Sequence, residues 1–122
     1  MKPEEQRIAI AEACGWLVND DGVTGISPIN VEQGLTNPKI CSWKLPDYLN
    51  DLNAMHEAEK LLYGNPNLPK KYTQQIKNAI RREAGVTKAQ MDFDVCITAT
   101  AAQRAEAFLR TINKWTTNPN EL

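Results

Sequence analysis

Between Ala101 and Trp115 the residues Ala101, Ala105, Phe108, Leu109, Ile112 and Trp115 recur at helical spacing and gather within about a third of a helix circumference. A helix with one such stripe draws most of its stability from packing, so it demands apolar faces elsewhere in the chain. Thr98 or Thr100 is positioned to cap it.

Three further segments offer such faces. Pro3 to Trp16 reads as a first helix, with a proline at its opening, Glu4 and Glu5 in the first turn where the dipole favours acids, and Gly15 near its end. Ala9, Ile10, Ala13, Trp16 and Leu17 share one side of it. Pro46 to Tyr63 reads as a second, stopped by Gly64-Asn65-Pro66, with Tyr48, Leu49, Leu52, Met55, Leu62 and Tyr63 in its stripe. Lys70 to Ala84 reads as a third, carrying Tyr72, Ile76, Ala79 and Ile80 and ending at Gly85.

From Asn19 to Lys44 the texture changes to turn formers and β-branched residues. Asn19-Asp20-Asp21-Gly22 reads as a turn, Val23 to Ile29 and Lys39 to Trp43 as strands, and Asn30 to Pro38 as the linking loop. Asp92 to Thr98 alternates as a strand does, with Phe93, Val95 and Ile97 on one side and Asp94 and Cys96 on the other. So small a sheet is not stable bare on both faces. The expected fold is therefore α+β, a small antiparallel sheet sandwiched by helices in an α/β/α arrangement, as one domain over residues 1–122 with a frayed tail from Thr116.

Composition limits the function classes. The chain has 122 residues, of which 42% are hydrophobic and 24% charged, and a net charge of −1. At that length a single core buries roughly two-thirds of the unfolded surface without metal or disulfide staples. No apolar run approaches the roughly 20 residues of a membrane span, and the first apolar stretch is unlike a secretory signal. A pI near 5.8 gives no global attraction for nucleic acid or anionic lipid. Cys14, Cys41 and Cys96 are odd in number and show no zinc or redox spacing, which suits buried thiols in a reducing cytoplasm. Phosphate-cradling glycine loops, HExxH, clustered acids and nucleophile elbows are missing, so no metal, cofactor or catalytic residue is expected.

One residue breaks the packing pattern. Glu59 projects at the centre of the stripe formed by Tyr48, Leu52, Met55 and Tyr63, where a lone carboxylate would be costly to bury. Either it pairs with a base such as Arg104 from a neighbouring element, or the stripe leaves the core there and becomes the wall of a pocket. His56, the one histidine, precedes it by three residues on the same side. The third helix adds a basic ridge of Lys70, Lys77 and Arg81 with Lys71 and Arg82 beside it, which either contacts phosphates or is a solvated face. Trp16 and Trp115 extend apolar stripes and suit the core. Trp43, at a strand end, could line a pocket mouth.

Two segments carry a resemblance. Leu45 to Lys60, LPDYLNDLNAMHEAEK, and Ala99 to Trp115, ATAAQRAEAFLRTINKW, resemble the hallmark stretches of the phage ABA sandwich domain family, and Arg7 to Trp16, RIAIAEACGW, is similar to its first helix. Together they cover about a third of the chain; Asn113 stands where that family commonly has Gly. The resemblance implies an α/β sandwich and a phage accessory protein acting in the host cytoplasm, with no established reaction to carry over.

Two functions follow as expectations. The first is a non-catalytic, anti-defence binding protein that sequesters a small phosphorylated ligand, a cyclic or adenine nucleotide, through Trp43, Tyr48, His56, Glu59, Lys77 and Arg81. Small size favours a homo-oligomer with the pocket between protomers. The second is an inhibitor or adaptor that binds a host defence protein through a helix face. A nucleotide hydrolase using His56 with Glu59 or Asp51 ranks below both, and membrane or nucleic-acid partners are not expected.

Overall fold

In a computed structural model, which describes residues 1–84 and 99–116, the first helix, α1 (Pro3–Ala13), stops three residues before Trp16. Gly15, at φ +99°, ends it: the Gly15 and Trp16 amides donate back to the Glu12 and Ala11 carbonyls at 3.1 and 3.0 Å. The Asn19 to Gly22 turn is present, closed by the Gly22 amide on the Asn19 carbonyl and by the Asp21 carboxylate, which accepts from Val23 N, Thr24 N and Thr24 Oγ1.

That turn joins β1 (Leu17–Val18) to β2 (Thr24–Ile26), and β3 (Trp43–Lys44) completes a three-stranded antiparallel sheet in the order β1-β2-β3. The strands are shorter than the sequence suggests for a local reason. Ser27 accepts from Asn30 N with Pro28 next, and Asn37 accepts from Lys39 N with Pro38 next. A capping side chain followed by proline starts a helix. Residues assigned above to strands and their link therefore become α2 (Pro28–Glu32) and α3 (Pro38–Cys41).

The sheet is covered on two sides. Pairing of Leu17 with Ile26, and of Gly25 with Val18 and Trp43, puts Val18 and Gly25 on one face and Ile26 on the other. Val18 packs on the main core. Ile26 is fully buried outside that cluster and borders a groove with Thr36 and Pro38, on the side where α3 packs against β2. Gly25 is required by crowding, since a Cβ there would lie 2.8 Å from the Leu17 carbonyl oxygen and 3.1 Å from Leu45 Cδ2.

The middle helix also begins later than expected. Asp51 caps α4 (Leu52–Glu59) by accepting from Asn53 N and Ala54 N. Residues 46–50 form a turn instead, because Asp47 is committed to Arg7 at 2.9 Å and to the Asn50 amide group. A 3₁₀ turn (Lys60–Gly64) follows, then α5 (Leu68–Ala84). The last helix, α6 (Ala101–Thr111), starts at Thr100, whose hydroxyl accepts from Gln103 N while the Gln103 side chain accepts from Thr100 N. It ends on Asn113 at φ +62°, with Asn113 N donating to Arg110 O and Lys114 N to Leu109 O. Asn is the residue that best replaces glycine in that left-handed position.

The core sits where α6 lies against α5, with α1 and α4 completing it. Ile10, Met55, Leu62, Ile76, Phe108 and Leu109 are its largest fully buried side chains. The fold class is α+β, as the patterning implies. The expected strand over Asp92 to Thr98, the tail beyond Thr116 and Cys96 lie outside the described residues.

Candidate functional site

Glu59 closes α4 one turn after Met55 and faces α6, which presents Arg104 from its first turn. Arg104 Nη1 lies 3.3 and 3.4 Å from the two Glu59 carboxylate oxygens, and its Nε donates to the Ala99 carbonyl at 3.2 Å. The side chains are only 12% and 8% exposed, so this pair is largely desolvated. His56 Nδ1 approaches Glu59 Oε1 at 3.2 Å from the solvent side, its ring half exposed. The carboxylate that interrupts the stripe is therefore both paired with Arg104 and set in a pocket wall.

The pocket is small, about 170 Å³, and lies between α4, the 3₁₀ turn, α5 and α6. Glu59, Arg104 and the hydroxyl end of Tyr72 give it a polar floor, Leu62 and Ile76 an apolar side, and Tyr63, Pro69 and Thr73 complete the lining. Tyr72 is 7% exposed, and its buried hydroxyl makes no hydrogen bond of acceptable geometry. It nonetheless lies within hydrogen-bonding range of both Glu59 and Arg104, at angles poorer than a good bond requires. Burial, then the Glu59 charge, raises its pKa far above that of ordinary tyrosine, with Arg104 opposing.

A second, more open groove of about 340 Å³ adjoins the first along α5. Both touch Pro69 and Thr73, and the groove adds Lys70, Gln74 and Lys77. Arg81, one turn further, is exposed. The rest of the ridge is engaged elsewhere, with Arg82 paired to Glu106 of α6 and Lys71 Nζ 3.4 Å from Asn113 Oδ1.

The six candidate residues thus occupy three places. His56 and Glu59 stand together on α4, and on α5 Lys77 lines the adjoining groove while Arg81, one turn beyond, lines neither pocket nor groove. Tyr48 is a core residue: it is 3% exposed, and its hydroxyl lies in hydrogen-bonding range of Cys14 and Trp16, burial raising its pKa. Burial likewise raises the Cys14 thiol, opposed by its bond to Tyr48. Trp43 sits on the sheet edge, 62% exposed. Trp115 is half buried, with the Arg110 guanidinium 4.9 Å above its ring.

Tyr72 is the residue that sequence reasoning missed. It was counted as one more apolar position, yet a tyrosine on a buried stripe needs a partner for its hydroxyl, and that need was the available signal. Cys14 and Cys41 carry free thiols and are half buried, the latter donating to the Leu35 and Asn37 carbonyls. Among the described residues no group of His, Cys, Asp and Glu could hold a metal ion, and no helix is long and apolar enough to cross a membrane.

Fold and site together define a small α+β protein with a desolvated ion pair at the floor of a pocket and a cationic groove beside it. No family model, curated protein or solved structure matches the chain.

Proposed function

We propose that the protein binds a small phosphorylated ligand, a cyclic or adenine nucleotide, without turning it over. The observation that carries this reading is the desolvated Glu59–Arg104 pair, with the buried Tyr72 hydroxyl beside it, in the wall of a pocket that shares Pro69 and Thr73 with the Lys70 and Lys77 groove. Carboxylate, guanidinium and hydroxyl offer acceptors and donors to a heterocycle, exposed Tyr63 offers a stacking face, and the lysines offer charge to phosphate. Pocket and groove together reach the low end of the roughly 300–1,000 Å³ typical of ligand sites. Binding rather than hydrolysis suits a Glu59 already held by Arg104 and His56, and leaves Trp43 and Tyr48 outside the site.

The biological setting comes from the resemblance to the phage ABA sandwich family. In that setting the protein is an anti-defence sponge that removes a nucleotide immune signal in the host cytoplasm. The alternative, an inhibitor of a host defence protein, rests on the exposed apolar side chains of residues 17–43.

The test is thermal unfolding against a panel of linear and cyclic nucleotides, with native mass spectrometry on the same samples. A ligand at about 100 times its Kd adds about 2.7 kcal/mol to the folded state, and the retained mass identifies it intact. The shift should weaken with salt and fall in the double variant Lys70→Ala/Lys77→Ala. No shift across the panel overturns the reading and turns attention to host proteins.

A further inference from the structure

Helix α5, the last turn of α6 and the residues just after it border another open groove, of about 400 Å³, lined by Lys71, Gln75, Arg110, Asn113 and Trp115. Lys71 and Gln75 each follow Lys70 and Gln74 by one position, and so stand about 100° round α5 from the cationic groove already described. None of the five lines that groove or the Glu59 pocket. Trp115 packs on the core, and the Arg110 guanidinium lies 4.9 Å from its ring centroid. The indole thus helps to hold the guanidinium in place without supplying a hydrogen-bond acceptor.

The groove is lined by two bases and no acid. Arg110 Nη2 lies 3.6 Å from Glu106 Oε1, a charge contact too long for a hydrogen bond, and the other oxygen of that carboxylate is bonded to Arg82. One carboxylate therefore serves two guanidinium groups. The buried Arg110 Nε makes no hydrogen bond among the described residues. Lys71 Nζ, 3.4 Å from Asn113 Oδ1, meets a neutral acceptor, which takes one of its three protons and cancels none of its charge. The same contact leaves Asn113 Nδ2 as a donor, on a residue fixed by the left-handed turn that ends α6. Guanidinium, ammonium and amide thus share a groove with no negative charge in its wall, which is the complement of an oxyanion. A dianion balances the two bases, whereas a monocarboxylate leaves one of them unmatched.

We propose that the groove between Lys71, Arg110 and Asn113 binds a dianionic phosphate, either free or as the terminal group of a phosphomonoester. Arg110 supplies planar N–H donors, Lys71 a point charge with two protons to spare, and the Asn113 and Gln75 amides neutral donors. Because Lys71 keeps its bond to Asn113, the ligand does not have to release the contact between α5 and the turn after α6. The site goes beyond the nucleotide reading and uses none of its residues. It therefore stands or falls independently of the proposed function.

The experiment titrates the full chain with inorganic phosphate at about pH 8, where phosphate is dianionic, with chloride and acetate at matched ionic strength as comparators. Proton–nitrogen nuclear magnetic resonance follows the Trp115 indole and Arg110 Nε–H signals, which report on this groove and not on the Lys70 and Lys77 groove. The expected result is a saturable shift of both signals with phosphate alone. Lys71→Gln and Arg110→Gln should each weaken binding about tenfold or more, read at the Trp115 signal, with circular dichroism unchanged. Should Arg110→Gln lose its fold, Arg110→Lys, which keeps the charge without the planar fork, replaces it with the same expected direction. Lys70→Ala/Lys77→Ala should leave the affinity within about twofold. A parallel titration with glycerol phosphate names the source, since tighter binding than inorganic phosphate assigns the groove to a carried phosphate and weaker binding to the free ion. No saturable shift with either phosphate overturns the proposal. So do equal shifts with acetate, and binding that survives both the Lys71 and the Arg110 substitution.

Discussion

Replacing Glu59 by Leu while leaving Arg104 in place is the sharpest perturbation the structure offers. The change deprives a guanidinium that is only 8% exposed of the Glu59 carboxylate, while its Nε bond to the Ala99 carbonyl remains. Removing one member of a buried ion pair typically costs about 3–5 kcal/mol, most of it the penalty of a stranded charge. For a 122-residue domain, at roughly 4 °C per kcal/mol, the midpoint should fall by about 12–20 °C. Arg104→Met should cost a similar amount, because it strands Glu59, which then keeps only the half-exposed His56. The double variant removes both charges at roughly conserved volume. It should therefore cost much less than the sum, with a coupling of about 2 kcal/mol or more. Urea unfolding at neutral pH, followed by circular dichroism and fluorescence to test for coincident transitions, supplies all four free energies. Single losses below about 1 kcal/mol, the range of exposed pairs, would refute the desolvated pair, as would additivity within about 0.5 kcal/mol.

Other expectations follow from the same geometry. Phe108→Ala empties a fully buried position between the packed helices and should cost about 3–5 kcal/mol in urea unfolding; a loss under 1 kcal/mol would mean that α6 packs by another face. Gly25→Ala should cost about 1–3 kcal/mol, because the new methyl meets a backbone oxygen that cannot swing away; a neutral result would show that the strands separate freely. Tyr72→Phe should leave stability within about 0.5 kcal/mol of wild type or raise it, since the hydroxyl makes no well-aligned hydrogen bond to Glu59 or Arg104, while weakening the proposed nucleotide binding; a loss above about 1 kcal/mol would show a strong bond to one of them. Burial raises the pKa of Tyr48 and Tyr72, so the unfolded chain releases these protons near pH 10 while the folded chain keeps them. Their contribution is whole below about pH 10 and is lost as pH rises further, and the urea midpoint should fall between about pH 9.5 and 11.5. A flat midpoint there would contradict the burial of both hydroxyls.

Four helices were legible from their apolar spacing, although Ala13 and Leu17 of the first expected stripe and Leu52 and Tyr63 of the second are exposed, and α1 and α6 came within a few residues because Gly15 marks one end and Thr98 or Thr100 the other start. The middle segment misled for a definable reason. Val23 to Ile29 and Lys39 to Trp43 have strand composition, but Ser27-Pro28 and Asn37-Pro38 are helix-starting pairs, and in five residues or fewer a cap and a proline outweigh β propensity. Likewise, the apolar spacing of Tyr48 and Leu49 extended the middle helix on paper, whereas the competition between Asp47 and Asp51 for the N-cap could be settled only by Arg7, forty residues away, engaging Asp47. Of the site, Glu59 was visible as a defect in a pattern. Tyr72 was not, because a hydroxyl at a stripe position looks like core until its surroundings are known. The spread of Trp43 and Tyr48 away from Glu59 is a tertiary fact with no local signature.

Helix α5 ties the pocket to the core. Tyr72, Ile76 and Ala79 pack inward, while Lys70, Gln74 and Lys77 line the groove on the adjoining flank, and Arg82 and Lys71 are tied to α6 and to the turn after it. The basic ridge is therefore not a uniform electrostatic surface. Two of its five bases, Lys71 and Arg82, hold α5 against its neighbour, and Lys70 and Lys77 line the groove near Thr73, beside the polar pocket. A polyanion tracking the whole ridge would need those tethers released, whereas a ligand one or two phosphates long would not. A salt dependence equivalent to one or two ionic contacts is thus what the proposed nucleotide ligand implies. A steeper slope would mean that the tethers open and that the ligand is a nucleic acid rather than a nucleotide.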